Sequence, residues 1–301
     1  MPRIAIQIIT YKSSGHLPLL LETLKQQTFR DWKLYVCENS LDRVEAGKIQ
    51  EQLEASGLPF HYFISDHNGG FDGGHQTLYR LHDAPLVMLL NDDVKLEPDY
   101  LEAVVARMDR DPKIASVTGL VYRWREDDER VIDTAGLEYR CLGQIVDRFA
   151  GVDTTHNTQA EEVFGVSGAI GLYRRSAVEA AGGLFDPEWF MYKEDADLAI
   201  RLRHAGFVAW FEPRAIAWHK RGLKEEEPGI IARIKNERQR SPLLRRYSYA
   251  NQWRIYRRHW GSVGWRDRLA TIRIEILRSA LVFIASPSVF FKAWRMICSQ
   301  K

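Results

Sequence analysis

The sequence predicts an open, Rossmann-like α/β domain with a mostly parallel sheet, followed by a basic helical appendage. Three observations carry this. Apolar runs rich in Ile, Val and Leu alternate with helical patterns at short spacing from Ile4 to Thr118. Four polar clusters follow directly on such runs. Charge is also divided unevenly along the chain: Ile231 to Lys301 holds 16 Lys+Arg against 3 Asp+Glu, which leaves 26 against 37 for Met1 to Ile230.

The elements read in order as follows. Ile4 to Ile9 is a β-branched run suited to a buried parallel strand. Ser13, Ser14 and Pro18 precede a helix with Leu20, Leu21 and Leu24 on one face. Trp32 to Cys37 is a second strand, Ile49 to Ala55 a helix, and Phe60 to Ile64 a third strand. A helix is expected at Leu78 to His82. Leu86 to Leu90 is a wholly apolar strand that stops at Asn91-Asp92-Asp93. Asp99 to Met108 is helical and Ile114 to Thr118 a strand. Hairpins and loops are expected from Tyr122 to Glu162, where charge rises and periodicity fades. Regular structure resumes at Gly168 to Arg175, with helices at Ser176 to Ala181 and Asp195 to Ala205 and a short strand at Phe207 to Phe211. Glu225 to Gly229 reads as a linker, so the expected domains are 1–224 and 225–301.

With 301 residues, 45% of them hydrophobic, the chain can bury a large core. Its three cysteines, Cys37, Cys141 and Cys298, show neither a disulfide framework nor zinc spacing. The N-terminus runs straight into a strand pattern without the apolar stretch of a leader. A reducing, cytoplasmic setting is therefore expected. No stretch approaches the ~20 apolar residues of a spanning helix.

In open α/β sheets, ligands sit beyond the carboxyl ends of the strands. The four clusters at such ends are Thr10-Tyr11, Glu38-Asn39-Ser40, Asn68 to Gln76, and Asn91-Asp92-Asp93. Carboxylates ending a buried strand suit Mn2+ or Mg2+ bridging diphosphate oxygens; they suit a capped turn equally well. Asn68 to Gly74 holds four glycines in seven residues, which reads first as a plain loop and second as backbone kept close to a ligand. Glu194-Asp195-Ala196-Asp197 opens a helix. Acids there commonly pair with the helix dipole, but three in four positions exceed that need, and one can serve as a general base. His219, ending Ala215 to Trp218, reads alone as structural.

Taken together, these segments resemble the inverting family 2 glycosyltransferases of GT-A fold, especially bacterial rhamnosyltransferase-like members. The likeness spans about Ile4 to Gly222 and rests on IITYKSSGHLPLLLETLKQQTFRDWKLYVCENS, NGGFDGGHQ, MLLNDDVKLEP, GGLFDPEWFMYKEDADLAIRLRHAGF and WHKRG, in family order. The resemblance implies that Thr10 and Tyr11 contact the nucleotide base. It gives base and ribose binding to Glu38, Asn39 and Ser40, with Glu38 standing where the family more often has Asp. Asn68, Gly70, Phe71, Asp72, Gly73 and Gly74 form the implied loop under the nucleotide. Asn91-Asp92-Asp93 corresponds to an Asp-x-Asp motif with Asn in first place. Asp93 is then the direct metal ligand and His219 a further one. Asn91 would reach a metal only through its neutral carbonyl or a water; a bond to the ribose is the alternative. Asp195 corresponds to the catalytic base, with Glu194 beside it.

The resemblance also implies a dTDP- or UDP-linked sugar donor, with dTDP-rhamnose favoured, and a glycan or lipid-linked glycan acceptor. In the tail, Arg245, Arg246, Arg254, Arg257 and Arg258 alternate with Tyr247, Tyr249, Trp253 and Tyr256. Such segments bind anionic membrane surfaces, here the inner face of the cell membrane; a solvated appendage or a homodimer interface is the competing expectation. A nucleotidyltransferase would carry a Gly-rich, Lys/Arg-bearing signature near its N-terminus, and Thr10 to Gly15 is not one. A nucleic-acid binder needs a basic body, whereas Met1 to Ile230 is net acidic, so no nucleic acid is expected. A catalytically dead module of this fold is opposed by the presence of Asp93, Asp195 and His219 together.

Overall fold

Ile4, Ile6 and Ile8 point to one side of the first strand and are fully buried, as a parallel strand covered on both faces requires. That strand lies inside the main sheet of the structure, a computed structural model that describes residues 1–124, 130–153, 159–186, 189–220, 238–239 and 241–299. The chain forms two compact units. The first comprises Met1–Glu138, Asp147–Phe190 and Glu194–Arg221; the second comprises Tyr139–Val146, Met191–Lys193 and Gly222–Lys301. The expected boundary at 224–225, and the linker Glu225 to Gly229, lie outside the described residues.

The first unit runs β1 (Ile4–Thr10), α1 (Leu17–Lys25), β2 (Trp32–Glu38), α2 (Arg43–Ser56), β3 (Phe60–Ile64), α3 (Gly70–Tyr79), β4 (Leu86–Leu90), β5 (Val94–Leu96), α4 (Tyr100–Met108) and β6 (Ile114–Arg123). After β7 (Ile132–Thr134), the hairpin β8 (Leu137–Cys141) and β9 (Gln144–Asp147) crosses into the second unit and returns. Then come β10 (Glu161–Val163), β11 (Ile170–Arg174), α5 (Arg175–Ala180), α6 (Glu194–His204) and β12 (Val208–His219).

The main sheet has the order β10-β12-β6-β11-β4-β1-β2-β3, with β5 on β12 and β7 on β6. Strands β3, β2, β1 and β4 are mutually parallel. Strand β11 runs against both β4 and β6, while β12 runs parallel to β6. The order reverses direction on either side of β1, which is a topological switch point. Thr10, Glu38, Asn91 and His219 therefore all emerge at one edge of the sheet. Leu17, Leu20, Leu21 and Leu24 of α1 pack with the buried isoleucines of β1 and with Met88 and Leu90 of β4.

The sequence pattern places most elements within a few residues of their observed bounds. Two differ in kind. The glycine-rich segment is the first half of helix α3, not a loop, and that helix ends at Tyr79 instead of spanning Leu78 to His82. Glycine is a poor helix former, and packing overrides the propensity. A Cβ on Gly74 would stand 2.8 Å from Ile9 Cδ1 and 3.1 Å from Asn39 Nδ2, so a side chain there would have to displace both for α3 to lie this close to β1 and the end of β2. Strand β12 is also far longer than Phe207 to Phe211, because it continues past an irregularity between Glu212 and Ile216. Glu212 is buried there, ion-paired with Arg107 at 2.8 Å and Arg214 at 3.0 Å.

In the second unit, α7 (Pro242–His259), α8 (Trp265–Ala285) and α9 (Pro287–Ser299) follow one another, with a 3-10 turn at Trp260–Ser262. Tyr249, Ala250, Val282, Val289 and Ala293 form their shared core. Asn251 of α7 donates to the carbonyls of Met191 and Tyr192, at 2.8 and 2.9 Å.

Gly70 has φ +70°, and a Cβ there would lie 2.2 Å from the Phe190 carbonyl oxygen. Gly70→Ala is expected to lower stability by about 1–3 kcal/mol through backbone strain alone, read as a fall in the thermal midpoint. An unchanged midpoint would contradict this packing.

Candidate active site

The Asn91-Asp92-Asp93 turn splits in two. Strand β5 pairs antiparallel with the end of β12, setting Val94 opposite His219, and Lys220 N donates to Asp93 O at 2.9 Å. Asp93 is thereby carried to the imidazole: His219 Nε2 stands 3.2 Å from Asp93 Oδ1 and 3.4 Å from Asn91 Nδ2. Asp92 is bonded instead by the Ser13 hydroxyl in the β1–α1 loop. Burial raises its carboxyl above the usual range, opposed by that bond; Asp93's charge adds to the rise and His16 opposes it.

His219 is held from behind by a residue that sequence reasoning missed. Its Nδ1 lies 2.9 Å from Asp133 Oδ2, and Asp133 is buried in β7. Asp133 lies within the irregular middle of the chain, where no motif marks it. Burial alone would pull the imidazole down, but its bonds to Asp133 and Asp93, with the two carboxylate charges, outweigh that and lift its pKa to about 9.

Asp93, His219 and Asn91 suit a hard divalent cation of the Mn2+ or Mg2+ kind. They offer a carboxylate, an imidazole whose far nitrogen is tied to a carboxylate, and an amide. Among the described residues, no third His, Cys, Asp or Glu joins Asp93 and His219 in a ligand cluster. Water and the oxygens of a bound ligand would have to complete such a shell, as is usual for Mg2+.

The turn Ser167 to Ala169, just before β11, links this end of the site to the helix carrying Asp195. Asn91 N donates to Ala169 O at 2.9 Å, and Gly168 N donates to Asp195 Oδ2 at 3.3 Å. Asp195 Oδ1 also accepts from Ala196 N at 2.7 Å. Asp195 is half-buried and Glu194 buried; both carboxylates help to push the fully buried Tyr173 phenol well above its ordinary pKa, after desolvation itself. The chain enters α6 with positive φ at Phe190, Tyr192 and Lys193 (65°, 70° and 73°), strain of the kind found where a site constrains backbone. Asp197 faces away and pairs with Arg201 at 2.7 Å. Arg201 also donates to the carbonyls of Ala181, Gly183 and Leu184.

The remaining predicted residues fall on the same sheet edge. Glu38 is buried and spoken for locally: it accepts from the Thr10 hydroxyl at 2.5 Å and from Ser40 N at 2.6 Å. Asn39 donates to Gly70 O at 2.7 Å, tying the end of β2 to α3. The Asn68 side chain accepts from Gly70 N at 2.9 Å. Phe71 stacks edge-on with His75, and Asp72 N donates to Phe190 O at 3.3 Å. Gly73 carries no close neighbour at its Cβ position, in contrast to Gly74. Tyr11 is exposed, beside Lys12 with φ 58°, as a side chain free to meet a ligand would be.

The folded His219 pKa of about 9 exceeds its ordinary 6.5, so protonated His219 stabilises the fold fully below pH ~6.5 and loses that effect as pH rises through ~9. In EDTA, unfolding free energy should fall by about 3 kcal/mol across this window. Asp133→Asn should make the curve markedly flatter. Matching pH profiles for the two proteins in urea titrations would contradict the assignment.

Known proteins match this architecture. The family model described as "Glycosyltransferase like family 2" covers residues 2–240. An N-acetylglucosaminyl-diphospho-decaprenol L-rhamnosyltransferase of Mycobacterium tuberculosis is 26% identical over 235 residues, which is 70% of this chain and 74% of that one. An O-antigen chain rhamnosyltransferase of Salmonella typhimurium is 24% identical over 225 residues, 75% of this chain and 68% of the other. Among solved structures, a Pyrobaculum calidifontis mannosyltransferase in complex with GDP-Man and Mn2+ superposes with TM-score 0.57 at 14% identity, covering 100% of this chain and 76% of that one. GalNAc-T7 with UDP, GalNAc and Mn2+ gives 0.61 at 12% identity, over 77% of this chain and 46% of that one. The parallel core with its reversed β11, and the match across 2–240, lead to one conclusion: the chain belongs to glycosyltransferase family 2.

Proposed function

We propose that this enzyme moves a sugar from a dTDP- or UDP-linked donor to a hydroxyl of a lipid-linked glycan, with inversion, during cell-surface polysaccharide synthesis. Rhamnose is the favoured sugar, because two relatives are named as rhamnosyltransferases and one of those names includes a diphospho-decaprenol carrier. The observation that carries the reading is the Ser167 to Ala169 turn, bonded to Asn91 on one side and to Asp195 on the other. It supports a diphosphate end and a base end held a fixed distance apart, as single displacement needs.

In this reading Thr10, Tyr11, Glu38, Asn39 and Ser40 receive the base and ribose, with Glu38 bracing the strand ends through Thr10 and Ser40. Asn68 and the Gly70 to Gly74 turn of α3 face the nucleotide with backbone close by, and Phe71 and Asp72 belong to the same wall. Asp93 and His219 hold Mn2+ or Mg2+, with Asn91 and Asp92 completing the turn beside the diphosphate. When bound, that cation offers Lewis-acid relief of the charge that grows on the leaving diphosphate. Asp195 accepts the proton of the acceptor hydroxyl as its oxygen attacks the anomeric carbon. The bond from that carbon to the diphosphate breaks, and its electron pair leaves on the phosphate oxygen. Glu194 sets the charge around Asp195. The acceptor's lipid places the reaction at the inner face of the cell membrane. Among the described residues no helix is long and apolar enough to cross a membrane.

Asp195→Asn should cut transfer by roughly 10²–10⁴-fold while the thermal shift caused by nucleotide stays near that of the wild type. Near-normal turnover in this variant would refute the base. EDTA should remove activity and Mn2+ restore it; full activity in EDTA would remove the cation from the account. A panel of nucleotide sugars read by thermal shift should single out one donor, since bound ligand raises apparent stability by mass action. A largest shift with dTDP-rhamnose supports the favoured sugar, and a larger shift with another donor replaces it.

A further inference from the structure

Helix α8 has its polarity reversed. A surface helix normally turns its apolar stripe to the core and its charges to water. Here Trp265, Leu269, Ile272, Ile276, Leu277 and Ile284 recur every few residues on one side and are all exposed, Trp265 at 70% and Leu277 at 72%. Four of its polar residues, Asp267, Thr271, Glu275 and Arg278, face inward. Asp267 accepts from Tyr139 Oη and from Leu142 N, and Thr271 Oγ1 accepts from Gly143 N at 3.0 Å. Glu275 accepts from Tyr256 Oη at 2.8 Å, and Arg278 donates to Gly143 O at 2.6 Å. These bonds fix the rotation of the helix, so the outward stripe is built in. Phe283 and Phe291, with ring centres 6.1 Å apart, extend the stripe onto α9.

The charge around the stripe has one sign. Arg266, Arg273, Lys292 and Arg295 are exposed beside it. Among the described residues of 238–299 the only acids are Asp267 and Glu275, and both are turned inward. Two copies meeting by this face would bring arginines together, because a twofold interface sets the same patch against itself. An anionic bilayer matches both features. Its acyl boundary takes the apolar side chains and its headgroups take the cations. With Arg266, Asp267, Arg268, Arg273, Glu275 and Arg278 along its length, α8 suits lying in the interface, not crossing the bilayer.

We propose that the exposed face of α8, continued by α9, inserts in the plane of an anionic phospholipid bilayer and docks the enzyme there. The face differs from the one the tail's composition points to: in α7, Arg245, Tyr249 and Tyr256 are buried. The proposal extends the reading of a lipid-linked acceptor, yet docking and transfer are measured separately.

The test is flotation of the full-length protein with phosphatidylcholine vesicles and with vesicles containing phosphatidylglycerol. Wild type should float with the anionic vesicles and not with the neutral ones. Ile276→Asp/Ile284→Asp should reduce flotation at least roughly tenfold, while its nucleotide-induced thermal shift and its transfer to a water-soluble acceptor stay unchanged. Should that variant not fold, Arg266→Glu/Arg273→Glu serves in its place, with the same loss expected. Wild type that stays at the bottom of the gradient, or folded variants that float as well as wild type, overturn the proposal. So does a wild-type dimer by light scattering that Ile276→Asp/Ile284→Asp splits, since a second copy then covers the face. Docking that persists while soluble-acceptor transfer fails would instead strike the functional reading alone.

Discussion

The pairing of β5 with the last residues of β12 is the constraint on which the proposed metal-binding end of the site depends. Asp93 and His219 are 126 positions apart in the chain, and neither has a reason of its own to meet the other. The antiparallel register of Val94 with His219 brings them together through backbone hydrogen bonds. A slip of β5 by one residue would turn its side chains to the opposite face and part Asp93 from His219. The irregularity in β12 between Glu212 and Ile216 matters for the same reason, since it sets which residue of that long strand arrives opposite Val94. The buried Glu212 with Arg107 and Arg214 stands at that point. Removing one partner of a buried pair is costly, so this cluster resists loss of the register.

From that register the rest of the site follows by short connections. Asp133 fixes the ring of His219, the Asn91 amide reaches the turn before β11, and that turn reaches Asp195. Across β1, Asn39 and the close approach of Gly74 press α3 against the sheet. Phe190, itself left-handed, lies against this assembly, its carbonyl filling the space a side chain on Gly70 would need. The site is therefore built from backbone positions as much as from side chains. Glu38 is one of those side chains, and its carboxylate is spent on Thr10 and Ser40.

Much of this was legible in the chain itself, for identifiable reasons. The apolar runs at Ile4, Trp32 and Leu86 announce buried strands because few polar residues interrupt them, and the polar clusters after them mark the carboxyl ends of those strands. The start of α3 was not legible, because glycine opposes helix in isolation and only packing against Ile9 and Asn39 explains it. The length of β12 was hidden by Pro213 and the irregularity beside it. Asp133 gave no signal, since its role arises from a pairing with His219 across 86 positions. The division of the Asn91-Asp92-Asp93 turn was equally hidden: residues adjacent in sequence answer to different strands. In the tail, the mixture of arginine and aromatic residues was plain, but which face they leave outward depends on the inward bonds of Asp267, Thr271 and Glu275.

The central claim is a single displacement in which one carboxylate serves as base and no covalent sugar–enzyme intermediate forms. The most direct measurement is the anomeric configuration of the product, by proton NMR coupling, against that of the donor. The account predicts inversion in every product molecule. Retention of configuration would contradict it, because a single back-side displacement inverts the anomeric carbon.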